Sequence, residues 1–291
     1  MIFTLENDFL TVSISELGAE IISIKTKSDD FEYIWQGEEK YWMGHSPIMF
    51  PICGRLFEGK YIYHKKEYSL GSHGFARHCT FELSATSPSS LTLQLKSNEE
   101  TKENYPFDFV FSVTYSLEAN CLNVKFDIKN TDSKDLIFGL GGHPAFNVPL
   151  DKGKFEDYYV QFDKKCDAYR LDLSSTCFVT KNDKLYIQDG TKRIDLVHSL
   201  FDNDGIFLYN TDKNITLASP KTSKSVTVKF DNFKYVGLWH STKTDAPFIC
   251  IEPWMSIPST DGIVDNLETK DDMIHLPSGY TYKNSYSISI K

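Results

Sequence analysis

The chain has 291 residues, enough for one large domain or two modest ones. Its 31 Lys and Arg against 40 Asp and Glu leave a formal net charge of −9, which sets aside a general binder of nucleic-acid phosphates. Hydrophobic residues at 41% and charged residues at 24% describe a chain that folds rather than a disordered one. Aromatic residues reach 14%, and since aromatic side chains favour pleated, half-buried surfaces, this tilts the expectation toward sheet.

From the N-terminus, Met1 to Asp8 has no basic stretch leading into an apolar one, and no later run approaches the ~18 apolar residues of a membrane span. The expectation is a cytoplasmic protein with no membrane partner. Apolar and polar residues then alternate with period two over residues 11–15, 91–95, 111–115 and 122–128, and again over 225–230 and 285–290. Turn-forming residues separate these runs at Asn120, Asn130 to Ser133, Asn182-Asp183, Asp189-Gly190, Asn203-Asp204-Gly205 and Pro277-Ser278-Gly279. No long helical stripe intervenes, and no Pro/Gly/Ser-rich linker marks a boundary. The pattern predicts an all-β protein, one large antiparallel β-sandwich spanning residues 1–291 as a single domain.

Three stretches break the alternation with Gly, Pro and His together, as loops that carry function on a rigid sheet tend to do. The first holds Gly54, Arg55, Gly71, His73, Gly74 and Arg77, and contains two of only four arginines in the chain. Ordinary surface arginines are the plainer alternative. The second is Leu140 to Asn147, where two glycines precede His143 and Pro144 holds His143 in extended geometry. A buried histidine satisfied by one backbone bond is the alternative there. The third is Pro247 to Trp254, an apolar run interrupted by Glu252; a carboxylate there is costly unless it is paired or opens onto a cleft. A strand-end salt bridge is its alternative. Trp239, Trp254 and Phe146 offer apolar ring faces of the kind that stack on the C–H surface of a sugar.

Six cysteines without a C-x-x-C pair read as free thiols, and the spacing of His73, His78 and Cys79 matches no common zinc pattern, so no metal is expected. Nucleotide loops and a G-x-S-x-G elbow are absent from the sequence.

Five segments together resemble the aldose 1-epimerase (galactose mutarotase-like) family, and within it the LacX-like bacterial branch. They are Leu17-Gly18-Ala19-Glu20-Ile21, Phe50-Pro51-Ile52-Cys53-Gly54-Arg55, His73-Gly74-Phe75-Ala76-Arg77, Gly142-His143-Pro144-Ala145-Phe146-Asn147 and Cys250-Ile251-Glu252-Pro253-Trp254. The resemblance implies a galactose mutarotase-like supersandwich that interconverts the α and β anomers of a hexose such as galactose or glucose without a cofactor. It implies Glu252 as general base and His143 as general acid, with Arg55, His73 and Asp204 contacting the sugar; Asp202 is the alternative to Asp204. Arg77, Phe146 and Trp254 complete the expected substrate contacts.

After Trp254 this chain has Met255-Ser256-Ile257-Pro258-Ser259, where relatives in the branch often carry a glycine and then an acid, so the cleft wall is expected to differ. The segment around His73 also resembles that of hexose-6-phosphate mutarotases, whose arginines hold phosphate. A phosphorylated hexose is therefore the alternative substrate, and a non-catalytic sugar-binding protein the alternative of another class. A monomer is expected, with a homodimer as the alternative.

Overall fold

Alternation of buried and open side chains dictates most of the architecture. In the computed structural model, which describes residues 1–187 and 192–291, Leu122, Val124, Phe126 and Ile128 point inward along the strand Cys121–Asn130. Phe109, Phe111, Val113 and Tyr115 do the same along its neighbour Phe109–Glu118. The turn predicted at Asp189-Gly190 lies outside the described residues. All six alternating runs are strands, most of them longer at one or both ends than the pattern alone indicates; residues 285–290, for instance, belong to Thr281–Ile290.

Among the described residues two large antiparallel sheets result. One has nine strands, with Thr281–Ile290, Cys121–Asn130 and Phe109–Glu118 side by side near its middle. The other has eight, in which Phe248–Trp254 is flanked by Tyr235–Trp239 on one edge and by Gly141–Gly142 and Ala145–Asn147 on the other. Inward side chains of both sheets meet in one contiguous apolar cluster, among them Leu122, Phe126, Leu238, Ile249 and Ile251. Phe50 anchors its aromatic part, with ring centroids of Phe109 and Phe111 at 5.2 and 4.9 Å. This is the all-β sandwich expected from the sequence, and the α-helix Glu99–Asn104 is a six-residue connection capped by Asn98. No helix among the described residues is long and apolar enough to cross a membrane.

For the site, the decisive strand is Phe248–Trp254, every residue of which is buried. Side chains alternate across a sheet. Ile249 and Ile251 therefore join the core between the sheets, while Cys250, Glu252 and Trp254 project from the opposite face. That outer face is covered by loops, and a cleft opens between them.

Candidate active site

The floor of the cleft is built by neighbouring strands. Glu252 rises from the central strand opposite Gly237, and His143 follows the short strand Gly141–Gly142, its backbone N–H donating to Pro47 O at 3.0 Å. A side chain at Gly142 would meet Tyr286, its Cβ only 2.8 Å from Cε1, so glycine lets this strand press close enough to deliver His143 to the acid. His143 Nε2 lies 3.2 Å from Glu252 Oε2. The indole of Trp254 donates from Nε1 to the same Oε2 at 3.1 Å.

Around this pair stand rings. Trp42 stacks on the His143 imidazole at 5.0 Å, Trp239 meets it edge-on at 5.6 Å, and Phe207 packs on Trp254 at 4.5 Å. Their apolar faces strip water from both titratable groups, and desolvation disfavours whichever form is charged. Burial pushes the Glu252 carboxyl well above the ordinary glutamate range; the charge of Asp204 adds to this, while the Trp254 N–H pulls the other way. Burial likewise holds His143 well below the usual histidine value, helped by His73 and Arg77. Both shifts favour a pair of zero net charge that holds one transferable proton between Oε2 and Nε2. Glu252 Oε1 and His143 Nδ1 are buried with no hydrogen-bond partner among the described residues.

His73 approaches from the loop 71–77. This loop turns at Gly74, whose φ of 74° and close contact with the Phe50 carbonyl exclude a side chain. The Gly54 N–H donates to His73 Nδ1 at 3.1 Å, which makes Nδ1 an acceptor and leaves the ring proton of the neutral form on Nε2. Burial, with Arg77 and Arg55 nearby, pulls the His73 pKa down to about 3, so the ring stays neutral. Arg55 stands at the mouth, half exposed, with Nη2 at 4.0 Å from Asp204 Oδ2. Asp204 is itself held by accepting from the Gly205 N–H at 2.9 Å. The cleft encloses about 230 Å³.

Of the expected site residues, His143, Glu252, Arg55, His73, Asp204, Arg77 and Trp254 line this one cleft. Asp204 rather than Asp202 faces it. Phe146 is a correction: it is fully buried in the core between the sheets. It pairs with Ile249, whose side chain points inward, whereas its neighbour Ala145 pairs with Cys250 on the cleft side. Trp254 also does more than offer a ring face, since its N–H opposes the rise in the Glu252 pKa. Trp42, Phe207 and Cys177 line the cleft without having been singled out. None lies in a motif, and only the folded chain brings Trp42 onto His143. His78 and Cys79 border a different depression from the one His73 lines, so the three do not converge.

A buried histidine–carboxylate pair on the cleft face of a β-sandwich, ringed by aromatic faces and hydrogen-bonding side chains, is an arrangement able to give and take protons. The aldose 1-epimerase family model matches residues 1–271, and the chain belongs to that family of isomerases. It is 35% identical over 300 residues to the plasmid-borne protein LacX of Lactococcus lactis subsp. lactis, covering 100% of this chain and 99% of that protein. Among solved structures it is similar to a galactose mutarotase related enzyme from Lactobacillus acidophilus, with 36% identity, TM-score 0.94 and coverage of 100% and 97%. A galactose mutarotase-like protein from Lactobacillus casei superposes with TM-score 0.95 at 32% identity, with 100% of each chain covered.

Proposed function

We propose that this chain interconverts the α and β anomers of a free hexose such as galactose or glucose, with Glu252 as general base and His143 as general acid. The observation that carries the reading is the 3.2 Å separation of Glu252 Oε2 and His143 Nε2 on the cleft floor. Two groups that close can serve the two oxygens borne by one anomeric carbon.

In the charge-separated arrangement of the shared proton, Glu252 takes the proton of the anomeric hydroxyl while His143 gives one to the ring oxygen. The bond from C1 to the ring oxygen breaks, and C1 becomes an aldehyde. Rotation about C1–C2 presents the other face of the carbonyl. The former ring oxygen then attacks it, returning its proton to His143 as Glu252 returns its own to O1. Protons and electrons balance within the pair, and the enzyme ends as it began. Each well-placed transfer typically contributes about 10²–10⁴-fold. His73 Nε2–H, Arg55 and Asp204 supply hydrogen bonds to the sugar hydroxyls, and the Trp254 and Phe207 rings cover its C–H faces.

One observation favours a phosphorylated hexose as a second reading. Arg77 lines the cleft, and among the described residues no carboxylate oxygen lies within the 4.0 Å of an ion pair; the charge of Glu20 reaches it only at longer range. A guanidinium without an acidic partner suits an anionic ligand. Anomer exchange followed by NMR saturation transfer on galactose, glucose and glucose 6-phosphate, with wild type beside Arg77→Ala, tests both. Exchange on the free sugars that survives Arg77→Ala supports the first reading. Exchange confined to the phosphate ester and lost in Arg77→Ala supports the second. Saturable binding with no exchange above the spontaneous rate would leave a sugar-binding protein.

A further inference from the structure

Two residues before Glu252 on the same outer face stands Cys250, a free and fully buried thiol. Its sulfur, a ring nitrogen of His143 and a carboxylate oxygen of Glu252 all lie within 4.8 Å of one another. We propose that these three side chains form a binding site for a thiophilic divalent cation, Zn²⁺ or Cd²⁺, whose occupancy shuts the enzyme down by ligating its acid and its base.

Three features carry this. Zinc binds sulfur at ~2.3 Å and nitrogen or oxygen at ~2.0–2.2 Å, so two of its ligands in a tetrahedral site sit roughly 3.3–3.6 Å apart. His143 Nε2 and Glu252 Oε2 already stand at 3.2 Å, and the Cys250 sulfur, within 4.8 Å of a ring nitrogen and a carboxylate oxygen, has at most about 1.2 Å to close. Second, Glu252 Oε1 is buried and has no hydrogen-bond partner among the described residues, so the carboxylate keeps a free lone pair beside the oxygen that faces His143. Third, the charges close: a thiolate, a carboxylate and a neutral imidazole bring −2 to a +2 ion, and the neutral complex suits a wall of tryptophans. On binding, the cation displaces the thiol proton and the proton shared by the pair, and both leave to solvent. Three protein ligands leave a fourth position open toward the cleft for water, and soft sulfur with imidazole selects zinc or cadmium over magnesium or calcium.

Binding follows from the ligand geometry alone, whereas inhibition rests on the reading of His143 and Glu252 as acid and base. The test titrates the whole protein with cadmium chloride, following the ultraviolet charge-transfer band of a cadmium–thiolate bond, and with zinc chloride, following anomer exchange. The expected result is a saturable band that Cys250→Ala removes and Cys177→Ala, at the cysteine that lines the cleft, retains. Zinc abolishes wild-type exchange, EDTA restores it, and magnesium has no effect. In Cys250→Ala, which keeps the acid–base pair, half-inhibition requires at least about tenfold more zinc, because even outer-shell partners of a metal contribute 10–100-fold in affinity. Should Cys250→Ala not fold, saturating sugar takes its place by protecting wild type from zinc. No cadmium band, a band indifferent to Cys250, or equal zinc sensitivity of both proteins would overturn the proposal. A Cys250-dependent band in a protein without exchange activity would uphold the site and overturn the mutarotase reading instead.

Discussion

Replacing Trp254 by phenylalanine separates the hydrogen bond to Glu252 from the aromatic wall of the cleft. The first ring can remain against Phe207 and near His73, which lie 4.5 and 5.6 Å from the indole, but the Nε1–H that donates to Glu252 Oε2 at 3.1 Å is gone. No other donor among the described residues reaches that carboxylate besides His143. A hydrogen bond to a charged group contributes about 1.5–3 kcal/mol, and about 1.4 kcal/mol corresponds to one pKa unit. Loss of the bond therefore raises the Glu252 pKa by roughly one to two units. A general base must be ionised to act. The ascending limb of the pH–rate profile for anomer exchange is thus expected to move by that amount toward alkaline pH. Below the limb, kcat/KM falls about 10- to 100-fold, and at higher pH much of it returns. The assay is exchange by NMR or polarimetry across the pH range, with the spontaneous rate subtracted at each point. A profile scaled down uniformly, with its limb unmoved, would refute the claim that Trp254 tunes the ionisation of Glu252.

Other outcomes follow from the same geometry. Glu252→Gln and His143→Gln should each lower exchange by about 10²–10⁴-fold while far-ultraviolet circular dichroism stays that of the wild type. Gly74→Ala forces a side chain into the Phe50 carbonyl at a φ of 74°, so thermal unfolding should show a loss of more than about 1 kcal/mol, together with a raised KM as His73 and Arg77 are displaced. His240 is buried and its pKa is pulled down to about 4 from the ordinary 6.5. The unfolded chain takes up that proton below about 6.5 and the folded chain does not. The contribution of His240 to stability is therefore full above this pH and declines by about 1.4 kcal/mol per pH unit as pH falls toward 4, then flattens. His240→Gln should show a shallower decline in denaturant titrations over that window, and an unchanged slope would count against the buried neutral ring.

How much of this was legible in the sequence depended on whether the signal was local. The long strands could be read because one wet face imposes a period-two pattern, as in Cys121–Asn130. Ile48–Met49 and Gly141–Gly142 could not, since two residues are too few to show a period, yet the second delivers His143 to the cleft. His73, His143 and Glu252 stood out because glycines, prolines or a charge inside an apolar run disturb the chain locally. Phe146 misled for a related reason: its place beside His143 is visible, but which face of the strand it takes is set by pairing with Ile249. Trp42 carried no signal at all. Its stacking on His143 joins two loops far apart in the chain. The direction of the Trp254 N–H is also a property of the fold, and it opposes the rise in the Glu252 pKa that burial brings.

In the proposed mechanism Glu252 and His143 pass the protons of a hemiacetal between them. Its most direct test is the rate of α–β exchange of galactose, measured by NMR saturation transfer for the wild type and for Glu252→Gln at equal protein concentration. The expected result is rapid exchange by the wild type and a rate near the spontaneous one for the variant, with sugar binding retained. Exchange by Glu252→Gln at the wild-type rate would contradict it.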